Sequence, residues 1–337
     1  MKSLSALGLC ALAVAALAAP RTASADPIQL RIASLAPSGS PWMQVLDKAA
    51  AESSEKTSGR IALKYFEGGQ QGDEPDFVRK INLGQLDGAA VTAIGLSMID
   101  QSIRVLELPM MFKSPEEMDY VADKLWPYFQ KKFEAKGFKL NDRGEVGWVY
   151  FMSKNKLETL ADLKAQKTWL WGDDAIVNAV YKKLGMNGVP LGVPEVDPAL
   201  TSGKINACYS SPVAAVALQW SSKIKYMMSM PMTFSIGATV LSVKAYQKLS
   251  PEDAKLLEDI SRANAKKLRK TIRKSNEDAK ASMIRQGVTV VATQQATVDQ
   301  FTKASQELWQ ELVGKVYSKE ELKMVLDARD EYRKKHP

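Results

Sequence analysis

Hydrophobic spacing along this chain switches repeatedly between a period of two and a period near 3.6, and each switch predicts a new element. Residues 29–34 (QLRIAS) alternate as a half-buried strand, and 41–57 carry helical spacing through Trp42, Val45, Leu46 and Ala49. A β-rich run reaching Tyr65 and Phe66 breaks into Glu67-Gly68-Gly69-Gln70-Gln71-Gly72-Asp73-Glu74, a double-glycine turn that opens an acidic helix start. Residues 77–86 read as a helix, and 88–94 (GAAVTAI) as a short apolar strand closing on Gly95. This β, α, β, α, β order with short joints predicts a mixed α/β domain with a largely parallel sheet, whose ligands sit at the carboxyl ends of the strands.

The pattern then repeats. Turn residues Asn141, Asp142, Arg143 and Gly144 precede an aromatic strand at 146–152, which reads as a crossing into a second lobe. There, 160–167 prepare a strand at 168–171, 174–184 are helical, 188–191 form a strand, and 198–202 lead through Gly203 to a strand at 205–209. Another strand is expected at 239–243. Ser250-Pro251-Glu252-Asp253 then supplies an N-cap, a proline for the first turn and acids at the positive end of a helix dipole. From there Leu257, Ile260, Asn264, Leu268, Ile272, Ala279 and Met283 keep near-helical spacing until Gly287. The spacing predicts one helix over about 251–286, ~54 Å long at 1.5 Å per residue. It exceeds one small domain and has no coiled-coil heptads, so it is expected to run across both lobes. The expected division is 26–146 with 238–265 in lobe one, and 147–237 with 266–337 in lobe two. The basic stretch 266–274 interleaves with the apolar stripe and reads as a solvated face, not a nucleic-acid or membrane surface.

Composition adds compartment and redox state. Residues 1–25 have a positive start, an apolar run and Ala23-Ser24-Ala25, the three parts of a secretory signal cleaved before Asp26. The apolar run is ~16 residues and is followed by no stop-transfer segment, too short for a membrane anchor. Removing 25 of the 337 residues leaves 312, enough for two domains. Cleavage removes Cys10 and leaves Cys208 alone, so no intramolecular disulfide is possible. The formal charge of +8 falls to +6 as Lys2 and Arg21 leave. A soluble periplasmic protein, with no nucleic-acid partner, is expected.

Scarce residues exclude much chemistry. The one histidine, His336, stands next to the C-terminus, so no Ser-His-Asp triad, His-ligated zinc site or His proton relay can form inside the fold. Cys208 therefore reads as a small buried hydrophobe. Neither G-x-G-x-x-G nor a Walker sequence occurs. Asp73 and Glu74 remain as a carboxylate pair for an exported hydrolase, although a helix's first turn favours acids in any case.

Several motifs resemble the extracytoplasmic solute-binding subunits of tripartite ATP-independent periplasmic (TRAP) transporters, of the dicarboxylate-binding type. They are Ala36-Pro37-Ser38-Gly39-Ser40-Pro41-Trp42, the loop 68–74, Leu83-Gly84-Gln85-Leu86-Asp87, Leu108-Pro109-Met110-Met111-Phe112 and Leu200-Thr201-Ser202-Gly203-Lys204-Ile205-Asn206. The resemblance covers about 260 residues. It implies a two-lobed periplasmic-binding-protein fold (type II-like) with a long helix spanning both lobes. A non-enzymatic binding protein with no cofactor and no metal is expected. The solute is captured in the interlobe cleft and passed to small and large membrane subunits driven by an ion gradient; a monomer is expected. An exported carboxylate-dependent hydrolase using Asp73 or Glu74 is the main alternative, and the receptor of an ATP-driven importer is a second.

The chain also departs from the family. Where the resemblance leads one to expect a carboxylate-binding arginine stands Trp169, and a second basic position is Val149; the segment 206–212 carries no charge. Tryptophan supplies neither charge nor the paired donors of a guanidinium. The expected ligand is therefore apolar or aromatic. Gln70, Glu74 and Thr92 are expected to meet it from lobe one, and Tyr150, Trp169, Trp171, Tyr209, Ser210 and Ser211 from lobe two. Strand alternation puts Trp169 and Trp171 on one face, so they share one fate, cleft lining or lobe core. Phe234, with Met227, Met228, Met230 and Met232, is expected as an adaptable greasy wall.

Overall fold

Alternating apolar spacing builds the first lobe from parallel strands and covering helices. The computed structural model describes residues 26–172 and 174–337, so the expected signal at 1–25 lies outside the described residues. Strands β1 (Ile28–Ser34), β2 (Ile61–Phe66) and β3 (Gly88–Thr92) pair in parallel, joined by helices α1 (Pro41–Lys56) and α2 (Glu74–Asn82). Helix α3 (Ala93–Ile99), a 3-10 turn at Gln101–Glu107 and α4 (Pro115–Ala135) lead to β4 (Phe138–Ser153), which enters the second lobe. That lobe contains α5 (Leu160–Lys164), β5 (Thr168–Trp171), α6 (Ala175–Leu184), β6 (Gly188–Leu191), α7 (Val193–Ser202), β7 (Ala207–Ser210) and α8 (Pro212–Ala217). Strand β8 (Tyr226–Ser242) returns across both lobes, followed by α9 (Val243–Tyr246), α10 (Pro251–Arg285), β9 (Thr289–Val291), α11 (Gln295–Glu311) and α12 (Lys319–Lys335).

The nine strands among the described residues form one sheet in the order β2-β1-β3-β8-β4-β7-β5-β6, with β9 on β8. Each lobe keeps a parallel set, and the antiparallel pair β4 and β8 joins them. The sheet is thus less parallel than the alternating pattern predicts. The methionine-rich run is the second-lobe half of β8, longer than the strand expected at 239–243, and Met227, Met228 and Met230 pack into the second-lobe core. Weak strand propensity in methionine and the interruption by Pro231 hide that strand from the sequence.

Register shifts in β4 between Leu140 and Arg143 and between Glu145 and Gly147 bend the strands where the lobes meet. Gly147 has φ +100°, and a Cβ there would come within 2.6 Å of Asn276 Nδ2 on α10. That amide donates to Val146 O at 2.9 Å, while Asn276 Oδ1 accepts from Val213 N at 3.1 Å, tying the bend to α10 and α8. Helix α10 runs unbroken for 35 residues from its Ser250 cap, packing on α1 in one lobe and α8 in the other. Arg273 on α10 grips Glu145 at 2.9 Å and Asp119 at 2.8 Å beside the same bend.

The last helix departs from the expected division, which gave 266–337 to lobe two. Helix α11 lies on α6, but α12 lies on α4, with Tyr128 donating to Glu321 at 2.9 Å and Tyr120 to Glu331 at 2.6 Å. Leu322, Val325 and Ala328 complete the first-lobe core around Phe129 and Phe133. An amphipathic helix carries no sign of which distant face it will cover, so its spacing alone does not assign it to a lobe.

Candidate functional site

Among the contacts between the lobes, two flank the cleft, one made by Asp73 and one by Arg104. Asp73 caps α2, its Oδ1 accepting from Glu74 N at 2.8 Å, while its Oδ2 reaches across to accept from Trp171 Nε1 at 3.0 Å and Val193 N at 3.2 Å. Gly192 permits this approach, because a Cβ there would sit 2.8 Å from that oxygen. Deeper in, Arg104 Nη2 donates to both oxygens of Asp174 at 3.0 Å. Asp174 is the N-cap of α6 in lobe two, and Arg104 belongs to the 3-10 turn of lobe one.

Between these contacts lies a cavity of about 250 Å³. Its second-lobe wall is aromatic: Trp169 stacks on Tyr209 at 4.7 Å and 19°, and meets Trp220 edge-on at 5.2 Å and Trp171 at 5.7 Å. Hydrogen bonds lock these rings. Trp169 Nε1 donates to Leu191 O at 2.9 Å, and Tyr209 Oη accepts from Trp171 N at 3.1 Å. Val149 also lines the cavity.

Glu74, only 1% exposed, lies on the first-lobe wall. It accepts from Thr92 N at 2.8 Å, Thr92 Oγ1 at 2.9 Å and Gly95 N at 2.6 Å, fastening α2 to the start of α3. Burial pushes its carboxyl up to about 7, against the pull of those donors. Asp73 and Glu74 are therefore held by the fold, and neither stands as a free acid or base facing a substrate. Burial also pushes the Cys208 thiol up to about 12, which keeps it inert.

Of the ten residues expected at the site, Glu74, Thr92, Trp169, Trp171, Tyr209, Ser210 and Ser211 line this one cavity. The other three do not. Gln70 is exposed on its loop. Tyr150 follows the cavity-lining Val149 on β4, so alternation turns it away, with Lys280 Nζ 5.4 Å from its ring centre. Phe234 is buried in the first-lobe core against Trp148, rings 5.0 Å apart at 89°, while its neighbours Thr233 and Ser235 face the cavity. A β8 strand explains this, because its period of two gives Phe234 the opposite face.

Sequence reasoning missed Arg104, among the described residues the one basic side chain lining the cavity. Its Nε has no hydrogen-bond partner among the described residues and lies 3.6 Å from Glu107 Oε2. A lone arginine inside the apolar run Ile103-Arg104-Val105-Leu106 was the available signal, since such a charge is buried only with partners. Five carboxyls line the same cavity: Glu74, Glu107, Asp142, Glu145 and Asp174.

The profile of bacterial extracellular solute-binding protein, family 7, matches residues 32–315. The chain belongs to this family. A family 7 protein is a solute-binding protein and not an enzyme, and the fold is similar to that of solved TRAP periplasmic solute-binding proteins. The Advenella mimigardefordensis sugar-acid-binding protein, solved with galactonate, superposes with TM-score 0.85 at 19% identity, covering 91% of this chain and 99% of that one. A TRAP solute-binding protein of Xanthobacter autotrophicus, with bound β-D-galacturonate, gives 0.83 at 20% identity, covering 90% and 99%. A solute-binding protein of Chromohalobacter salexigens is 28% identical over 172 residues, which is 50% of this chain and 51% of that relative. The chain thus spans about half the length of that relative.

Proposed function

We propose that this chain is the periplasmic receptor of a TRAP transporter, which closes its lobes around an uncharged apolar or aromatic solute and passes it, as a monomer, to small and large membrane subunits. The observation that carries the ligand class is the charge of the lining, one guanidinium against five carboxyls. Arg104 is already paired with Asp174 and Glu107, Glu145 with Arg273, and Glu74 with backbone donors, which leaves an anion only the Nε of Arg104 and sets it against an excess of carboxyls. A buried carboxylate without a free charge partner is strongly disfavoured. An uncharged ring against Trp169 and Tyr209 gains roughly 25 cal/mol per Å² of apolar surface, so ~150 Å² contributes about 4 kcal/mol before the costs of association. Asp73 and Arg104 bridge the lobes, so parting the lobes breaks their contacts, and these contacts favour closure.

Two relatives in fold were solved with sugar acids, and the unpartnered Nε of Arg104 favours a second reading in which an acid is taken by that nitrogen. Titration calorimetry with C4-dicarboxylates, uronates, aldonates and neutral aromatic compounds separates the two. The first reading expects the neutral aromatics alone to bind at micromolar concentration, and tight binding of a uronate or diacid overturns it.

A further inference from the structure

The cavity continues past the cleft into the first lobe, between α1, α10 and the sheet face that those helices cover. Val45, Leu46 and Ala49 of α1 face Leu257, Ile260 and Ala265 of α10 across it. Its floor is made by small residues of the sheet, including Ala90, Gly144, Gly237 and Thr239. Room exists there because the large first-lobe aromatics, among them Phe77, Trp126 and Phe129, pack into a core on the other face. On the α1 and α10 face the apolar side chains gather instead in two small clusters. One includes Leu30, Ile61 and Leu257, the other Val213, Ile272 and Ala279, and the α10 residues between Leu257 and Ile272 border the cavity. Two polar groups on this wall are satisfied within the protein, Ser53 Oγ donating to Ala49 O at 2.7 Å and Asn264 Nδ2 to Ile260 O at 2.9 Å, while Tyr65, Asp142, Thr239 and Ser261 add polar atoms to an otherwise apolar lining. Apolar side chains of α1 and α10 dominate the arm.

We propose that this inner arm is a subsite for an unbranched alkyl tail, so that the solute is a single-tailed amphiphile whose uncharged head or ring lies against Trp169 and Tyr209. The inference rests on the apolar-ligand reading and extends it. From Leu257 to Leu268 the arm follows α10 for about 16 Å at 1.5 Å per residue. With C–C bonds of about 1.5 Å at tetrahedral angles each methylene advances roughly 1.25 Å, so the arm takes on the order of a dozen carbons.

The test is a chain-length series of straight 1-alkanols from four to sixteen carbons, below their aggregation concentrations, with benzyl alcohol as a short ring probe and galacturonate as an acid. In the unmodified protein Kd is expected to fall about fourfold per methylene, then to level off near twelve carbons. Ala265→Phe, which fills the arm, is expected to shorten the plateau and reduce the affinity ratio of dodecanol to butanol at least tenfold. A flat series in the unmodified protein overturns the arm. If benzyl alcohol still binds in that case, the apolar cleft survives without it; if only galacturonate binds, the apolar-ligand reading has failed as well.

Discussion

Replacing Asp73 by serine isolates the energy of closure. Serine still offers an N-cap oxygen to α2, so the first lobe should keep its stability, but it is too short to reach Trp171 Nε1 and Val193 N. Both lost bonds cross between the lobes, so parting the lobes breaks them, and both are to a carboxylate acceptor, worth roughly 1.5–3 kcal/mol each when fully buried. Asp73 is only half-buried, so solvent screening reduces the pair to about 1–3 kcal/mol in total. At 1.4 kcal/mol per decade, the variant should bind the tightest ligand of the calorimetric panel about 5- to 150-fold more weakly. Thermal melting of the unliganded protein should move little, and small-angle scattering should show a larger open fraction at equal ligand. Trp171→Phe removes one of the same bonds, so the double variant should lose less than the sum of the singles. Unchanged affinity in Asp73→Ser would refute the idea that this carboxylate holds the shut state.

Trp169→Arg puts a charge at a position only 2% exposed, removes the stack on Tyr209 and breaks the bond to Leu191 O. It should abolish binding of neutral aromatics by calorimetry and lower the melting temperature; retained binding would place the ligand elsewhere. Glu74 titrates at about 7 in the fold against an ordinary 4.5, so the folded state holds its proton more tightly and its contribution to stability falls as pH rises between those values. In urea titrations the stability of the native protein minus that of Glu74→Gln should drop by about 3 kcal/mol from pH 4.5 to pH 8; a pH-independent difference would contradict the shift.

Local signals were read well and long-range ones were not. The helix from Pro251 was visible because Ser250 caps it and its stripe repeats over 35 residues, and the Trp169 and Trp171 pair because two residues on a strand must share a face. The Asp73 bridge was hidden, since a helix-cap acid looks the same whether or not its second oxygen crosses a cleft. Arg104 was hidden for a similar reason: its partner Asp174 lies 70 positions away, and only the fold brings the two together. Phe234 was misplaced because the methionine run concealed a strand, and with it the period of two that decides which side chains face the cavity. The placement of α12 on α4 depended on complementary surfaces that periodicity does not encode.

The central claim, that the cleft selects an uncharged apolar solute, is tested most directly by a pair of ligands of like size that differ chiefly in charge. Calorimetric titration of the mature protein with 4-methylbenzyl alcohol and 4-methylbenzoate at pH 7.5 keeps shape and apolar area nearly constant. The lining of one paired guanidinium and five carboxyls predicts that the alcohol binds at least tenfold more tightly. Tighter binding of the benzoate would mean that Arg104 is free to take a carboxylate, and would contradict the account.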